Sequence, residues 1–145
     1  MEQTPRQQLR RYNYLFGETE AAYHEAFLKL GLSDSAMKIL YAICDSGDSC
    51  LLQEICRRSG LSKQTVNSAL RKLEGEGTVR LEQAGARAKR VCLTPQGQGL
   101  AGRTAGRIME LENEIFAAWP REDVENCLRL TERFLVDFRE KSRRL

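Results

Sequence analysis

The chain has 145 residues, of which 41% are hydrophobic and 30% charged, and 23 basic against 20 acidic residues give a net charge of +3. This length suits a single domain, and the composition excludes collagen-like, intrinsically disordered and disulfide-scaffold chains. No uncharged apolar run approaches the roughly 18 residues of a membrane span, and the N-terminus lacks the features of a signal peptide, so we expect a cytoplasmic protein that does not bind a membrane.

Most of the chain is predicted to be helical, because its apolar residues recur at steps of three and four. In the first half the predicted helices are Leu9 to Leu30, a second from the N-cap Ser33 to Ser46, a short third from about Leu51 to Ser59, and a fourth from the N-cap Ser62 to Gly75 or Gly77. Serine suits these starts because its side-chain oxygen accepts a hydrogen bond from a free amide of the first turn.

The second half begins with a predicted hairpin and ends with two helices. Period-two alternation predicts strands at Val79–Glu82 and Arg90–Leu93, joined by a turn at Gln83–Ala86. A fifth helix is predicted to run unbroken over Thr94–Ala118, and a sixth follows Trp119-Pro120. The apolar faces of the terminal helices exceed what a small central domain can cover, so they predict association between chains. The residues expected to need a partner surface are Leu9, Tyr12, Phe16, Phe27, Phe134, Leu135 and Phe138.

Positive charge is concentrated between Arg57 and Arg90. That segment contains nine basic and three acidic residues, a net charge of +6, whereas the rest of the chain carries −3. It overlaps a short helix, a tight turn and a longer helix over Leu51–Leu73, the arrangement of a helix-turn-helix. Small polar and cationic side chains at the start of the longer helix can reach phosphates and base edges in a major groove, although such a face can also be an ordinary solvated surface. The basic hairpin that follows favours nucleic acid.

No constellation of residues indicates catalysis or a metal. The chain has one histidine, His24, and five cysteines without a Cys-x-x-Cys pair. The segment Gly97–Gly102 spells the dinucleotide fingerprint G-x-G-x-x-G, but the strand that must follow its helix is missing. We therefore interpret these glycines as the thin surface of a helix near a crossing helix, and we expect no enzyme activity, no cofactor and no metal.

The central segment resembles the signature of MarR-type winged helix-turn-helix regulators. The resemblance rests on LQEIC at 52–56, GLSKQTV at 60–66, LRKLEGEG at 70–77 and RAKRVCLTPQG at 87–97. It implies a mainly α fold with a small β-hairpin wing, in which a winged helix-turn-helix lobe is flanked by terminal dimerisation helices. A single MarR-type domain would then span residues 1–145, with the DNA-binding lobe at 33–97 and dimerisation helices at 5–32 and 98–145.

The resemblance also implies a function. Such a protein would be a homodimer that binds a pseudo-palindromic operator in double-stranded DNA, represses transcription and is released by a small, often aromatic, ligand. Ser62–Lys72 would be the recognition helix, Val79–Leu93 the wing, and Arg87 the residue that enters the minor groove. The expected DNA-binding residues are Ser62, Lys63, Gln64, Thr65, Asn67, Ser68, Arg71, Lys72, Arg87, Lys89 and Arg90. The sequence assigns no ligand-binding residues.

Two alternatives stay open from the sequence: a winged-helix module that binds proteins, and a regulator that responds to oxidants through cysteine. A protein-binding module would expose apolar residues where the fourth helix has polar ones. Peroxide-sensing relatives have a cysteine in the first helix, where this chain has none. The wing departs from the MarR-type pattern in another way, since Gly85 stands where an aspartate commonly precedes the arginine, and we expect a looser wing tip.

Overall fold

A computed structural model describes residues 1–145. Its elements in chain order are α1 (Pro5–Lys29), α2 (Asp34–Asp45), β1 (Ser49–Leu51), α3 (Leu52–Ser59), α4 (Lys63–Gly75), β2 (Val79–Gln83), β3 (Lys89–Leu93), α5 (Pro95–Arg103), α6 (Ala105–Ala118) and α7 (Arg121–Ser142). The strands form one antiparallel sheet in the order β1-β3-β2. The chain divides into two compact units, Met1–Arg107 and Ile108–Leu145. The predicted mainly α fold with a hairpin wing is confirmed.

Side-chain caps begin the helices where the sequence predicts them. The caps Ser33, Ser62 and Thr94 each accept a hydrogen bond from the backbone amide three residues on, at 2.9 to 3.2 Å. Helix α1 starts earlier than predicted, at Pro5, because Thr4 and Gln7 form a capping box with hydrogen bonds of 2.9 and 3.2 Å. The serine and threonine caps thus fix the starts of α2, α4 and α5.

The sheet has one strand more than the sequence predicts. Strand β1 pairs with β3 in antiparallel register, with Cys50 opposite Val91. Leu51, predicted to open the third helix, ends β1 instead, and α3 begins at Leu52. A strand of three residues is too short to display a period-two pattern, so its pairing is decided by tertiary contact.

The long fifth helix predicted over Thr94–Ala118 is wrong in one respect, because it is interrupted at Thr104. That residue has φ −123° and ψ −86°, far from helical values, and it separates α5 from α6. Its hydroxyl donates to the Leu100 carbonyl oxygen at 2.7 Å, a bond of the kind that bends helices. Gly102 and Gly106 flank the break and lower the helix propensity there. The apolar spacing continues across the break, so periodicity alone does not reveal it.

The core of the first unit is built around α2. Its residues Met37, Leu40 and Ile43 are fully buried, and the helix contacts α1, α3, α4, α5, β1 and β3. The other elements contribute the buried residues Ile55, Val66, Leu70, Leu73, Val79, Val91 and Leu93. Burial of each large aliphatic side chain contributes roughly 1.5 to 3 kcal/mol relative to exposure. This shared core attaches the helix-turn-helix and the sheet to one central helix.

The first glycine of the apparent dinucleotide fingerprint has a packing role. A Cβ atom added to Gly97 would lie 1.9 Å from the backbone oxygen of Thr78, so no other residue fits there. Thr94 also links the start of α5 to the segment before β2, since its Oγ1 donates a hydrogen bond to the Gly77 carbonyl oxygen at 2.6 Å. The close neighbour of Gly97 is therefore the backbone just before β2 and not a crossing helix.

The apolar faces of the terminal helices are exposed in one chain. In the first unit, α1 exposes Leu9, Tyr12, Tyr14, Leu15, Phe16, Tyr23 and Leu28. In the second unit, α7 exposes Leu128, Leu130, Phe134, Leu135, Val136 and Phe138. Phe27 was predicted to need a partner surface, and this is wrong, because its own chain leaves it only 7% exposed, in an edge contact with Tyr23 at 5.9 Å between ring centroids.

All five cysteines are free thiols, with Cys50 and Cys92 buried and the others half-buried. No group of three or more histidine, cysteine, aspartate or glutamate side chains could hold a metal ion. None of the helices combines the length and the apolarity needed to cross a membrane.

Candidate nucleic-acid interface

Helix α4 carries most of the predicted DNA-binding residues, and its start is fixed by two local hydrogen bonds. Ser62 Oγ accepts one from the Thr65 amide at 3.1 Å and donates one to Thr65 Oγ1 at 2.8 Å. Val66, Leu70 and Leu73 are buried on the side that faces the core. The side away from the core presents Lys63, Gln64, Asn67, Ser68, Arg71 and Lys72.

The turn between α3 and α4 sets the position of the second helix relative to the first. Gly60 ends α3 with φ +68°, a left-handed conformation that glycine adopts without strain. Ser59 Oγ then accepts a hydrogen bond from the Leu61 amide at 3.2 Å. The helix-turn-helix predicted over Leu51–Leu73 is confirmed, except that its first helix begins at Leu52.

The wing is the β2–β3 hairpin, and its register separates two cations that are neighbours in the sequence. Leu81 lies opposite Val91, and Gln83 lies opposite Lys89. Val91 is fully buried on the helix-facing side of the sheet. Because alternate residues of a strand point to opposite faces, Lys89 shares that side, whereas Arg90 lies on the outer side.

A cavity of about 550 Å³ lies between the wing, α3 and α4. Three cations line it, Lys63 from α4 and Arg87 and Lys89 from the wing. Asn67 and Gln53 add amide groups to the lining. The rest of the lining is formed by Leu51, Leu52, Cys56 and Ala88.

A second, more open hollow of about 480 Å³ runs along the outward side of α4. It shares Lys63 and Asn67 with the cavity and adds Gln64, Ser68 and Arg71. We call the cavity and the hollow together the basic groove. No acidic side chain lines either part of it.

The four cations of the basic groove have no anionic partner. Lys63, Arg71, Arg87 and Lys89 take part in none of the ion pairs of the chain. Outside the groove, Arg58 binds both Glu54 and Asp45, and Arg80 binds Glu82 at 2.7 Å. The hydrogen bond from Arg80 lowers the pKa of the Glu82 carboxyl. The groove therefore brings four uncompensated positive charges together.

The structure brings together seven of the eleven predicted DNA-binding residues. The basic groove contains Lys63, Gln64, Asn67, Ser68, Arg71, Arg87 and Lys89. Ser62 and Thr65 lie at its edge as the N-cap pair of α4. Lys72 is exposed on α4 but lines neither hollow. Arg90 is on the outer side of the wing, where its Nη1 donates to Ser49 Oγ at 3.4 Å.

Sequence reasoning missed the part of the groove that comes from α3 and β1. Gln53 and Cys56 reach the cavity from α3, and Leu51 reaches it from the end of β1. Leu51 is opposite Arg90 in the β1–β3 register, so its place depends on a strand that has no sequence signal of its own. The one sequence signal for this contribution was the position of the polar residue Gln53 in the first turn of the predicted third helix.

Comparison with known proteins agrees with this arrangement. A model of the MarR family matches residues 30–90, which hold the helix-turn-helix and most of the wing. A MarR family transcriptional regulator of known structure from Silicibacter pomeroyi is 25% identical, with a TM-score of 0.68 over 87% of this chain and 86% of that one. Residues 30–90 thus match the MarR family, and the chain has the fold of MarR-type winged-helix regulators. No curated protein sequence matches it.

Other solved structures share the fold over almost the whole chain. A MarR family regulator from Neisseria meningitidis is 20% identical, with a TM-score of 0.78 over 93% of this chain and 95% of that one. BpsR of Bordetella bronchiseptica, whose DNA binding is regulated by 6-hydroxynicotinic acid, is 17% identical, with a TM-score of 0.64 over 86% and 98%. At sequence identities of 20% and 17%, the likeness shows that these proteins share the fold, and nothing more.

Proposed function

We propose that this MarR-type regulator binds a specific DNA sequence as a homodimer and represses transcription until a small aromatic ligand releases it. The observation that supports DNA binding is the basic groove, where four cations without anionic partners line the outward side of a helix-turn-helix and its wing. Such a field attracts a polyanion and displaces its condensed counterions. Because the bound molecule would be the chromosome, we also propose a cytoplasmic location.

We propose a division of labour within the basic groove. Gln64, Asn67 and Arg71 lie on α4, where a helix in the major groove can reach base edges. Lys63 and Lys89 would neutralise phosphates, and Arg87 would enter the minor groove beside them. Base contacts would then supply sequence preference, and phosphate contacts would supply affinity.

The test is selection of duplexes by the wild-type protein from a random library, followed by footprinting of the enriched sequence. We expect a near-palindromic site, and loss of Asn67 or Arg71 to alanine should relax the preference at one position of each half-site. Alanine at a true base contact costs roughly 1 to 3 kcal/mol. Failure to enrich any duplex, or equal losses on all sequences for both variants, would reject sequence-specific binding.

We propose that residues 33–97 form the DNA-binding lobe and that residues 5–32 and 98–145 dimerise. The support is the row of exposed aromatic and aliphatic side chains on α1, and separately the row on α7. Apolar area of this extent commonly marks a protein interface. Sedimentation at micromolar concentration should give a dimer, whereas a monomer at that concentration would contradict the proposal.

Control by a ligand is supported by analogy with BpsR, whose DNA binding is regulated by 6-hydroxynicotinic acid, and repression is proposed from the resemblance to MarR-type regulators. The proposed ligand is therefore a small aromatic acid or phenol. Addition of a panel of such compounds to the complex with the enriched duplex should release the DNA for at least one of them. A reporter gene behind that duplex should be repressed by the protein, and activation instead would reverse the sign of the proposed regulation.

The two alternatives have less support. The outward side of α4 presents amides, hydroxyls and cations, whereas a surface that binds proteins is rich in aromatic residues. Burial raises the pKa of the Cys44 and Cys92 thiols, which lowers the fraction of reactive thiolate at neutral pH. We therefore favour DNA binding controlled by a small molecule.

A further inference from the structure

The tip of the wing is held by one side chain. The loop between β2 and β3 is closed at its base by a hydrogen bond from the Ala84 amide to the Ala88 carbonyl oxygen at 2.9 Å. Beyond that bond, one hydrogen bond reaches residues 85–87: Gln83 Nε2 donates to the Gly85 carbonyl oxygen at 2.7 Å. The direction of Arg87 therefore depends on a short stretch with a single side-chain anchor.

The anchored residue has a backbone conformation that restricts what can replace it. Gly85 has φ +126°, in a region that residues with a side chain rarely adopt. A Cβ atom at this position would meet nothing within 4 Å, so the requirement for glycine comes from the backbone and not from packing. The hydrogen bond from Gln83 and the glycine at 85 are thus two parts of one local conformation.

We propose that Gln83 is a positioning residue for Arg87, because its amide fixes the Gly85 carbonyl and with it the path of the loop. Gln83 is the last residue of β2 and pairs with Lys89, so the anchor starts from a residue held in the sheet. Arg87 reaches the cavity beside Lys63 and Asn67. Prior ordering of the loop lowers the entropy that must be lost when Arg87 binds DNA. The inference rests on the proposed function.

The experiment combines motion in the free protein with affinity for the enriched duplex. Gln83→Glu keeps the length of the side chain but removes the N–H donor, and Gln83→Ala removes the whole anchor. Gln98→Ala is the matched control, because Gln98 is an exposed glutamine outside the wing whose side chain makes no hydrogen bond. In ¹⁵N relaxation, the amides of Gly85 and Arg87 should become more mobile in both Gln83 variants and stay unchanged in the control.

The effect of Gln83 on DNA affinity should depend on the presence of Arg87, because Gln83 itself is not expected to contact DNA. Gln83→Ala should weaken binding about two- to tenfold, the range expected for one hydrogen bond, without a change in melting temperature. In an Arg87→Ala background the same change should have no further effect. An equal loss in both backgrounds would mean that Gln83 contacts DNA directly and would overturn the proposal, as would unchanged affinity.

The two proposals fail in different ways. If the wild-type protein enriches no duplex, the proposed function is wrong, and the relaxation measurement still decides whether Gln83 orders the tip. If the wild type binds its duplex but the Gly85 and Arg87 amides have the same mobility with and without Gln83, the positioning role is wrong and the DNA-binding function stands.

Discussion

The two sides of the wing carry the same kinds of cation and differ in what those cations contact. On the helix-facing side, Lys89 lines the basic groove together with Arg87, and neither has an ion-pair partner. On the outer side, Arg80 binds Glu82 at 2.7 Å, and Arg90 donates to Ser49. A count of charges along the chain overstates the field that DNA would meet, because pairing removes part of it.

The salt concentration should have the largest effect on binding, because salt weakens all contacts between the unpaired cations and DNA phosphates at once. Lys63 and Lys89 are proposed to meet phosphates in each lobe, so a dimer with four such contacts, at about 0.9 released counterions each, gives a slope near 3.6. Affinity should therefore fall on the order of a hundredfold between 50 and 200 mM salt. Titration of the enriched duplex at several salt concentrations measures this slope. A slope near zero would mean that the basic groove does not meet phosphates.

Removal of a single groove cation should have the next largest effect. Arg87→Ala should weaken binding by roughly 1 to 3 kcal/mol if the side chain reaches a groove of the duplex. Arg80→Ala is the matched control from the outer side, and we expect it to change affinity much less because Glu82 already neutralises that charge. Equal losses for the two variants would contradict the distinction between the two sides.

Lys89 and Arg90 allow a closer test, because they are adjacent in the chain and lie on opposite sides of β3. Lys89→Ala should lower the salt slope by about 1 per lobe, as expected for one lost phosphate contact in each lobe. Arg90→Ala should leave the slope nearly unchanged and should instead loosen the contact between β3 and β1 at Ser49. If the two variants change the slope equally, the sheet register does not decide which cation meets DNA.

The smallest expected effect is a pH dependence of stability from the outer side. The pKa of Glu82 is lowered by its hydrogen bond with Arg80, so the pair stabilises the fold above the ordinary carboxyl pKa and this contribution is lost as the pH falls through the lowered value. Glu82→Gln should lower the melting temperature slightly at pH 7, and the difference between the two proteins should shrink as the pH falls through the lowered pKa of Glu82. The pair is exposed, so a large difference at pH 7 would contradict its placement.

The sequence could predict what local patterns specify. Ser62 and Thr94 were recognisable as caps, and alternation around Val91 was enough to separate Lys89 from Arg90 once the core side was known. Strand β1 and the break at Thr104 were missed, because one is too short for a pattern and the other leaves the apolar spacing intact.

In the candidate site, too, local patterns were predictable from the sequence and tertiary contacts were not. The polar side of α4 was predictable from its period, but the contribution of Gln53 requires the sheet to bring α3 beside the wing. The anchor from Gln83 to Gly85 was also out of reach, because the sequence indicates a flexible glycine and not the amide that holds it. Side-chain to backbone bonds in loops depend on the exact path of the chain.

The contact at Gly97 has a mechanical consequence. Where side chains separate two elements, a small displacement can be absorbed by a change of rotamer, but at Gly97 the backbone of α5 rests directly on the backbone of Thr78. Strand β2 begins at the next residue, so a shift of the first turn of α5 is transmitted to the wing without slack. We therefore expect the start of α5 and the wing to move together, so that an event that tilts α5 would also change the direction of Arg87.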